Sequence, residues 1–203
     1  IRNQDLRIAA VIVGLGAVMF AGMLSLSRGG MIAMLLAVGI CVGILFRRKL
    51  ISGKLFAGLI GVGLLVTAFL GIYGYRTVSN RLDYWESNGR WMIWQANLSI
   101  FSDFPLVGTG IGSHREAYPM YLDLPFFNKE FTHAESSWVQ IASETGLAGL
   151  SLAGLATGLC LFWCLRGLRL SQARGTTTAL AAVTASLIAS CAHAFVEVVW
   201  YIP

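Results

Sequence analysis

Charged side chains are scarce in this chain of 203 residues, where Lys, Arg, Asp and Glu together make up 12%. About a quarter of the residues of a soluble domain usually belong to these types, so the composition excludes a soluble globular protein. Cysteine is scarce too, and its four residues lie in hydrophobic stretches, where a thiol behaves as a small apolar side chain. We therefore expect no disulfide. Cys160 and Cys164 share a helix face, but a metal site needs further ligands nearby, so helix packing is favoured.

Long hydrophobic runs are what the chain has in place of charge. A membrane-spanning helix takes about 20 mostly apolar residues. Five stretches meet this requirement: residues 8–26, 29–46, 55–73, 147–165 and 178–199. We expect an all-α, polytopic helical membrane protein with about five transmembrane helices. Because the sequence starts at Ile1 and stops soon after a hydrophobic run, we interpret it as a fragment of a larger membrane domain.

Positive charge gathers in three places that five crossings put on the same side of the membrane. These are Arg2 and Arg7, then Arg47, Arg48, Lys49 and Lys54, then Arg166, Arg169 and Arg174. Cytoplasmic loops retain Lys and Arg, so the opposite, external face holds the turn near Arg28 and the end near Trp200. The net charge of +5 reflects topology, and no nucleic-acid partner is implied.

One polar segment, residues 74–146, interrupts the hydrophobic sequence and lies on the external face in this topology. It contains about half of the charged residues and two of the three histidines. The predicted organisation is therefore three transmembrane helices in residues 1–73, an external loop in 74–146, and two transmembrane helices in 147–203. Any chemistry in water must be organised by that loop.

An amphipathic helix is predicted early in the polar segment. Ser87-Asn88-Gly89 offers a cap and turn, and Asp103-Phe104-Pro105 ends the pattern. The face between them carries Trp91, Trp94, Leu98 and Phe101. Such a face suits the headgroup boundary, where Trp is enriched, but a helix packed on its own neighbours explains it equally well.

Two motifs follow. The glycines of Gly108-Thr109-Gly110-Ile111-Gly112 resemble a phosphate loop, but no strand precedes them, so a tight glycine-dependent turn is favoured. Thr132-His133-Ala134-Glu135 is a capping-box pattern that predicts His133 at the first position of a helix. The helix dipole there disfavours imidazolium and attracts anions, so His133 is expected to be neutral and able to accept a proton. A structural or interfacial histidine is the alternative.

Two external arginines are further candidates for an anion-binding site. Arg28 lies between two spans, flanked by Gly29, and Arg90 follows Gly89 at the start of the amphipathic helix. Each of them either snorkels toward water or binds an anion. Guanidinium groups pair phosphate oxygens bidentately and stay charged, so two arginines and a neutral histidine would suit a pyrophosphate.

His193 and Glu197 are four residues apart near the external end of the last span. Ionisable groups in a membrane span are candidates for function. A local pair that stabilises the helix end is the alternative, and it is slightly favoured.

The order of these elements resembles the superfamily of O-antigen ligases and O-antigen polymerases, which are bacterial envelope membrane proteins. The resemblance is carried by Ser27-Arg28-Gly29, Gly89-Arg90 with Trp94, Phe104 to Gly112, His133-Ala134-Glu135, Glu144 to Gly149, and His193. It covers most of the chain. Together the motifs are specific for the superfamily and poor at choosing one member, and the chain resembles the C-terminal half of such proteins.

The resemblance implies a metal-independent glycosyltransferase without a cofactor, in the bacterial inner membrane with the long loop on the periplasmic side. Its donor would be an undecaprenyl-pyrophosphate-linked glycan, and its acceptor a lipid A core sugar in a ligase or a second glycan in a polymerase. A protein O-oligosaccharyltransferase and a non-enzymatic glycan transporter component are further alternatives. The implied catalytic residues are Arg28, Arg90 and His133. Arg28 and Arg90, with Trp94, Gly110, Glu135 and His193, are the predicted substrate-binding residues.

Overall fold

A computed structural model of the chain describes residues 28–78, 84–122 and 131–197, and within them every regular element is a helix. In chain order these are α1 (Arg28–Arg47), α2 (Gly53–Val78), α3 (Tyr84–Asp103), α4 (His114–Ala117), a 3₁₀ helix (Tyr118–Tyr121), α5 (Ser137–Leu170) and α6 (Arg174–Val196). The predicted all-α class is confirmed.

Three described helices are long and apolar enough to cross a membrane, namely Gly29–Arg47, Ser137–Leu170 and Arg174–Val196. They contain the second and fourth predicted spans and residues 178–196 of the fifth. The third predicted span falls in α2, whose shorter apolar part is Gly53–Leu65, and the first lies outside the described residues. Large apolar side chains such as Ile32, Leu152 and Trp163 point outward and are exposed. This arrangement suits a protein surrounded by lipid tails, which are as apolar as leucine.

The helices α1, α5 and α6 pack beside one another, with α6 against both of the others. At one end of this bundle the Arg48 guanidinium donates to the Leu168 carbonyl, so the basic ends of α1 and α5 meet there. At the other end Gly29 lies against His193 and Glu197. The start of α1, the end of α6 and the start of α5 therefore share the end opposite to the basic clusters.

The helix α5 is kinked at Gly146, which has φ 61° and ψ −157°. The loop after α3 satisfies the backbone groups that the kink would leave without partners. Thr109 and Gly110 donate N–H groups to the carbonyls of Ser143 and Glu144 (3.1 and 2.8 Å), and Leu147 and Ala148 donate to Pro105 and Leu106 (2.7 and 3.1 Å). The loop thus caps both helix segments at the kink.

Two glycines make this close packing possible. A Cβ atom on Gly108 would lie 2.3 Å from the backbone of Glu144, and one on Gly146 would lie 2.5 Å from the backbone of Leu106. Both have positive φ, as do Gly110 and Gly112, a region that glycine adopts without steric cost. The predicted glycine-dependent turn is confirmed.

The predicted helix is present as α3, but its start and its apolar face were predicted wrongly. The helix begins at Tyr84 and runs through the expected turn at 87–89, and it ends at Asp103 as predicted. Its fully buried positions are Ile93, Ala96, Asn97 and Ile100, which pack toward α5 and the 3₁₀ helix. Trp91 and Leu98 on the predicted aromatic face are about half exposed. The helix therefore packs on its neighbours and also presents apolar side chains outward.

Candidate functional site

A short loop, residues 131–136, brings the polar segment to the end of the bundle where α1 begins and α6 ends. Ser136 ends the loop as the N-cap of α5, and its hydroxyl accepts the Val139 N–H. The same hydroxyl donates to the Ala194 carbonyl (3.4 Å), and Ser137 donates both N–H and Oγ–H to the Glu197 carbonyl. Two serines thus fix the loop to the end of α6.

The prediction that His133 occupies the first position of a helix is wrong. The helix begins at Ser137, and Ser136 is its cap in place of Thr132. Glu135 has φ 56°, a left-handed conformation that does not propagate a helix backwards and that costs a non-glycine residue about 1–3 kcal/mol. The dipole argument for a neutral His133 therefore does not apply.

The loop places His133 and Glu135 on either side of Ala134, which is fully buried. The Nδ1 atom of His133 is buried and has no hydrogen-bond partner among the described residues. The Glu135 carboxylate instead faces Arg90, with 3.5 Å between Oε2 and Nη2. The left-handed backbone at Glu135 keeps the preceding loop residues out of the helix. Backbone strain of this kind often occurs at functional sites.

Arg90 joins three elements at this position. Its guanidinium pairs with Glu135 from the loop and donates to the Val196 carbonyl at the end of α6 (3.5 Å). Its side chain is 42% exposed, so it retains donors for a ligand. A partly exposed guanidinium held in place beside a carboxylate can bind an incoming anion.

The start of α1 meets the His193–Glu197 pair. His193 Nε2 lies 2.9 Å from Glu197 Oε2, which confirms the predicted local pair. A Cβ on Gly29 would lie 3.2 Å from Glu197 Oε1 and 3.3 Å from the His193 ring. The backbone next to Arg28 is therefore in contact with the pair. The carbonyl of Glu197 accepts from Ser137, and the carbonyl of Val196 accepts from Arg90, so this end of α6 also contacts the loop and α3. The side chain of Arg28 lies outside what the structure describes.

The other two predicted site residues differ in what they offer. The indole N–H of Trp94 is buried and has no partner among the described residues, so contact with a ligand would require its neighbours to move. The N–H of Gly110 is used by the Glu144 carbonyl (2.8 Å), although space is open where a Cβ would lie. A substrate contact at Gly110 would have to use that open space.

An open groove of about 450 Å³ runs beside α3. It is lined by Met92, Gln95, Ala96, Ser99, Met120, Tyr121 and Leu122. The last three come from the stretch after Gly112. Tyr121 donates its hydroxyl to Asp103 (2.7 Å), so polar groups line this face of the groove.

A buried polar cluster, which we call the inner network, lies under the loop and was missed by the sequence reasoning. It consists of Asn97, His114, Gln140, Ser143 and Glu144, each at most 2% exposed. The Asn97 amide donates to the Ile93 carbonyl (2.8 Å), so its oxygen accepts from Ser143 (2.8 Å) and from His114 Nδ1 (3.0 Å). The spacing of Gln140, Ser143 and Glu144 on one helix face was the available signal, whereas nothing local marks His114.

Burial lowers the pKa of His114 below its usual value of 6.5, the charge of Glu144 opposes this change, and the charge of His133 adds to it. The ring also stacks on Tyr118, with 4.8 Å between the centroids. His114 is therefore held as a neutral imidazole at neutral pH.

We expect His114→Phe to make the protein less sensitive to acid. Below pH 6.5 the unfolded histidine binds a proton, while the folded one does so only at lower pH, so stability falls as pH falls through that window. Phenylalanine keeps the stack on Tyr118 and removes the proton site. Thermal unfolding in detergent on both sides of pH 6.5 measures the difference, and equal pH dependence of variant and wild type would contradict it.

The geometry brings Arg90, Glu135, His133 and the backbone beside Arg28 to one end of the bundle. A family model described as O-antigen ligase matches residues 9–154, a range that includes Arg28, Arg90, Glu135 and His133. No curated protein matches the chain.

Proposed function

Because the chain belongs to the O-antigen ligase family, whose members carry out glycan transfer, we propose that it transfers an undecaprenyl-pyrophosphate-linked glycan to a lipid A core sugar. The observation that supports this most directly is Arg90, a partly exposed cation fixed between the loop and α6. Arg90 lies at the end of the bundle where α1 begins, and α1 begins with Arg28.

The proposed reaction is a displacement at the anomeric carbon. The acceptor oxygen bonds to that carbon, the bond to the pyrophosphate oxygen breaks, and its electron pair stays with the leaving pyrophosphate. Arg28 and Arg90 bind the pyrophosphate and neutralise the charge that develops on it. His133 takes the proton from the acceptor hydroxyl.

The remaining predicted residues complete the site in this proposal. Glu135 orients Arg90 through the ion pair, and His193 supports the start of α1. Trp94 and Gly110 contact the glycan, and the groove beside α3 receives the acceptor sugar. The proposed step needs no general acid, because pyrophosphate is already a good leaving group, and the resemblance implies no metal or cofactor.

Residues 74–146 form the periplasmic catalytic loop of an inner-membrane protein in this proposal, between membrane helices in 1–73 and 147–203. The same site would serve a polymerase, with a second lipid-linked glycan as acceptor, or a protein O-oligosaccharyltransferase. A transporter component would bind the glycan without transferring it. Transporters carry polar or broken spans near the bilayer midplane. The kink at Gly146 lies beside the loop after α3, which favours glycan transfer over transport.

Gel analysis of lipopolysaccharide from a strain that lacks the gene distinguishes these activities. We expect lipopolysaccharide without polymer, together with accumulated lipid-linked glycan, and restoration of polymer by the wild-type gene. Single-repeat caps would indicate a polymerase in place of a ligase. A normal pattern in the deletion strain would contradict both.

A further inference from the structure

Gln140 connects the inner network to the loop that carries His133 and Glu135. Its Oε1 accepts the N–H of Ala134 (3.2 Å), and its Nε2 donates to Glu144 Oε1 (3.0 Å). Ala134 is fully buried, so this N–H has no access to water. The single side chain of Gln140 therefore fixes the backbone between the two loop residues of the site.

Glu144 holds Gln140 in its orientation. Its Oε1 accepts from Gln140 and also from the N–H of His114 (3.3 Å), while its Oε2 is buried without a partner among the described residues. A carboxylate has no donor, so the Gln140 amide must direct its nitrogen to Glu144 and its oxygen to Ala134. The position of the loop is thus coupled to residues that do not reach the site.

We infer that Gln140 is a positioning residue for the loop of residues 131–136, and that Glu144 orients Gln140. The inference rests on the proposed function for its catalytic consequence. A displacement of about 1 Å in a catalytic group can lower the rate about 10²-fold. Losing the anchor at Ala134 should therefore lower kcat for glycan transfer.

The first variant is Gln140→Leu, which keeps the side-chain size and removes both hydrogen bonds. We expect kcat for glycan transfer in detergent to fall by about 10- to 100-fold. The exchange of the Ala134 amide, measured by hydrogen exchange in the segment 131–136, should become faster. Gln172→Leu makes the same chemical change in the exposed turn between α5 and α6 and serves as the matched control.

A second pair of variants separates positioning from folding. Gln140→Glu places two carboxylates in contact, which favours a shared proton, so we expect its kcat to recover relative to wild type as the pH is lowered. Adding Glu144→Gln restores a donor between positions 140 and 144 and keeps an acceptor for Ala134 at position 140. We expect the double variant to recover kcat near neutral pH without acid.

Wild-type kcat in Gln140→Leu, or unchanged exchange at Ala134, would overturn the inference. Failure of Glu144→Gln to rescue Gln140→Glu would also overturn it. Absence of transfer by the wild type with lipid-linked donor would count against the proposed function alone, because hydrogen exchange still reports whether Gln140 anchors the loop.

Discussion

His133→Ala lowers the turnover number for glycan transfer by about 10²- to 10⁴-fold, the usual contribution of a positioned general base. The protein should still insert and fold, since the loop is held by Ser136, Ser137 and Gln140 and not by the imidazole. Transfer of labelled glycan from the lipid-linked donor by purified variants measures the effect. Donor KM should change little, because the arginines bind the pyrophosphate.

Thr132→Ala is the matched control for this prediction, because Thr132 is an exposed neighbour in the same loop. Glu135→Gln completes the comparison, since Glu135 is the second group in the loop able to accept a proton. If His133→Ala keeps wild-type turnover, the assignment of the base to His133 is wrong, whatever Glu135→Gln loses through its pair with Arg90.

The candidate residues of the site could be proposed from the sequence because each type has a chemistry that the membrane context makes conspicuous. In the predicted topology Arg28 and Arg90 are cations on the external face, where positive charge is disfavoured, and His133 is one of three histidines in the chain. That the start of α1, Arg90 and the loop 131–136 lie at one end of the bundle was not predictable, because it depends on how α1, α5 and α6 pack. The contacts of Gly29 with His193 and of Arg90 with Val196 are tertiary, and sequence spacing does not encode them.

The helix start was predicted wrongly for a local reason. Thr132-His133-Ala134-Glu135 satisfies the capping-box pattern, but Ser136 is a second cap residue four positions later. Ser136 forms hydrogen bonds both to α5 and to the Ala194 carbonyl, and the tertiary bond decides between the two caps. The loop that results holds Glu135 opposite Arg90, which a helix starting at His133 would not do.

The spans were the most predictable part of the fold, since length and hydrophobicity are enough to identify a membrane helix. From the sequence, Gly146 marks only the end of the polar segment, and no kink was predicted there. Its cause is the close approach of the loop at Gly108 to the backbone of Glu144. Gly108 and Gly146 are far apart in sequence, and neither motif alone shows that they pack together.

Arg90→Ala should lower kcat/KM for the lipid-linked donor by about 10²- to 10³-fold, the effect expected when one fixed cationic donor is removed from a developing charge. Arg90→Lys should restore only part of it, because an ammonium group lacks the bidentate geometry of guanidinium toward phosphate oxygens. The unfolding temperature should change little, since the pair with Glu135 is partly exposed and such pairs contribute little to stability. Kinetics over a range of donor concentrations measures the change, with the exposed Arg169→Ala at the opposite end of the bundle as control.

The ion pair gives this prediction a sharper form. In Arg90→Ala the Glu135 carboxylate is left without its cation and repels the pyrophosphate, so part of the loss comes from Glu135 and not from the missing guanidinium. Adding Glu135→Gln to Arg90→Ala should therefore recover some kcat/KM, whereas Glu135→Gln alone should reduce it by releasing Arg90 from its position. Such opposite signs for one substitution require direct coupling of the two residues. Additive losses in the double variant would show that the ion pair does not form part of the donor site.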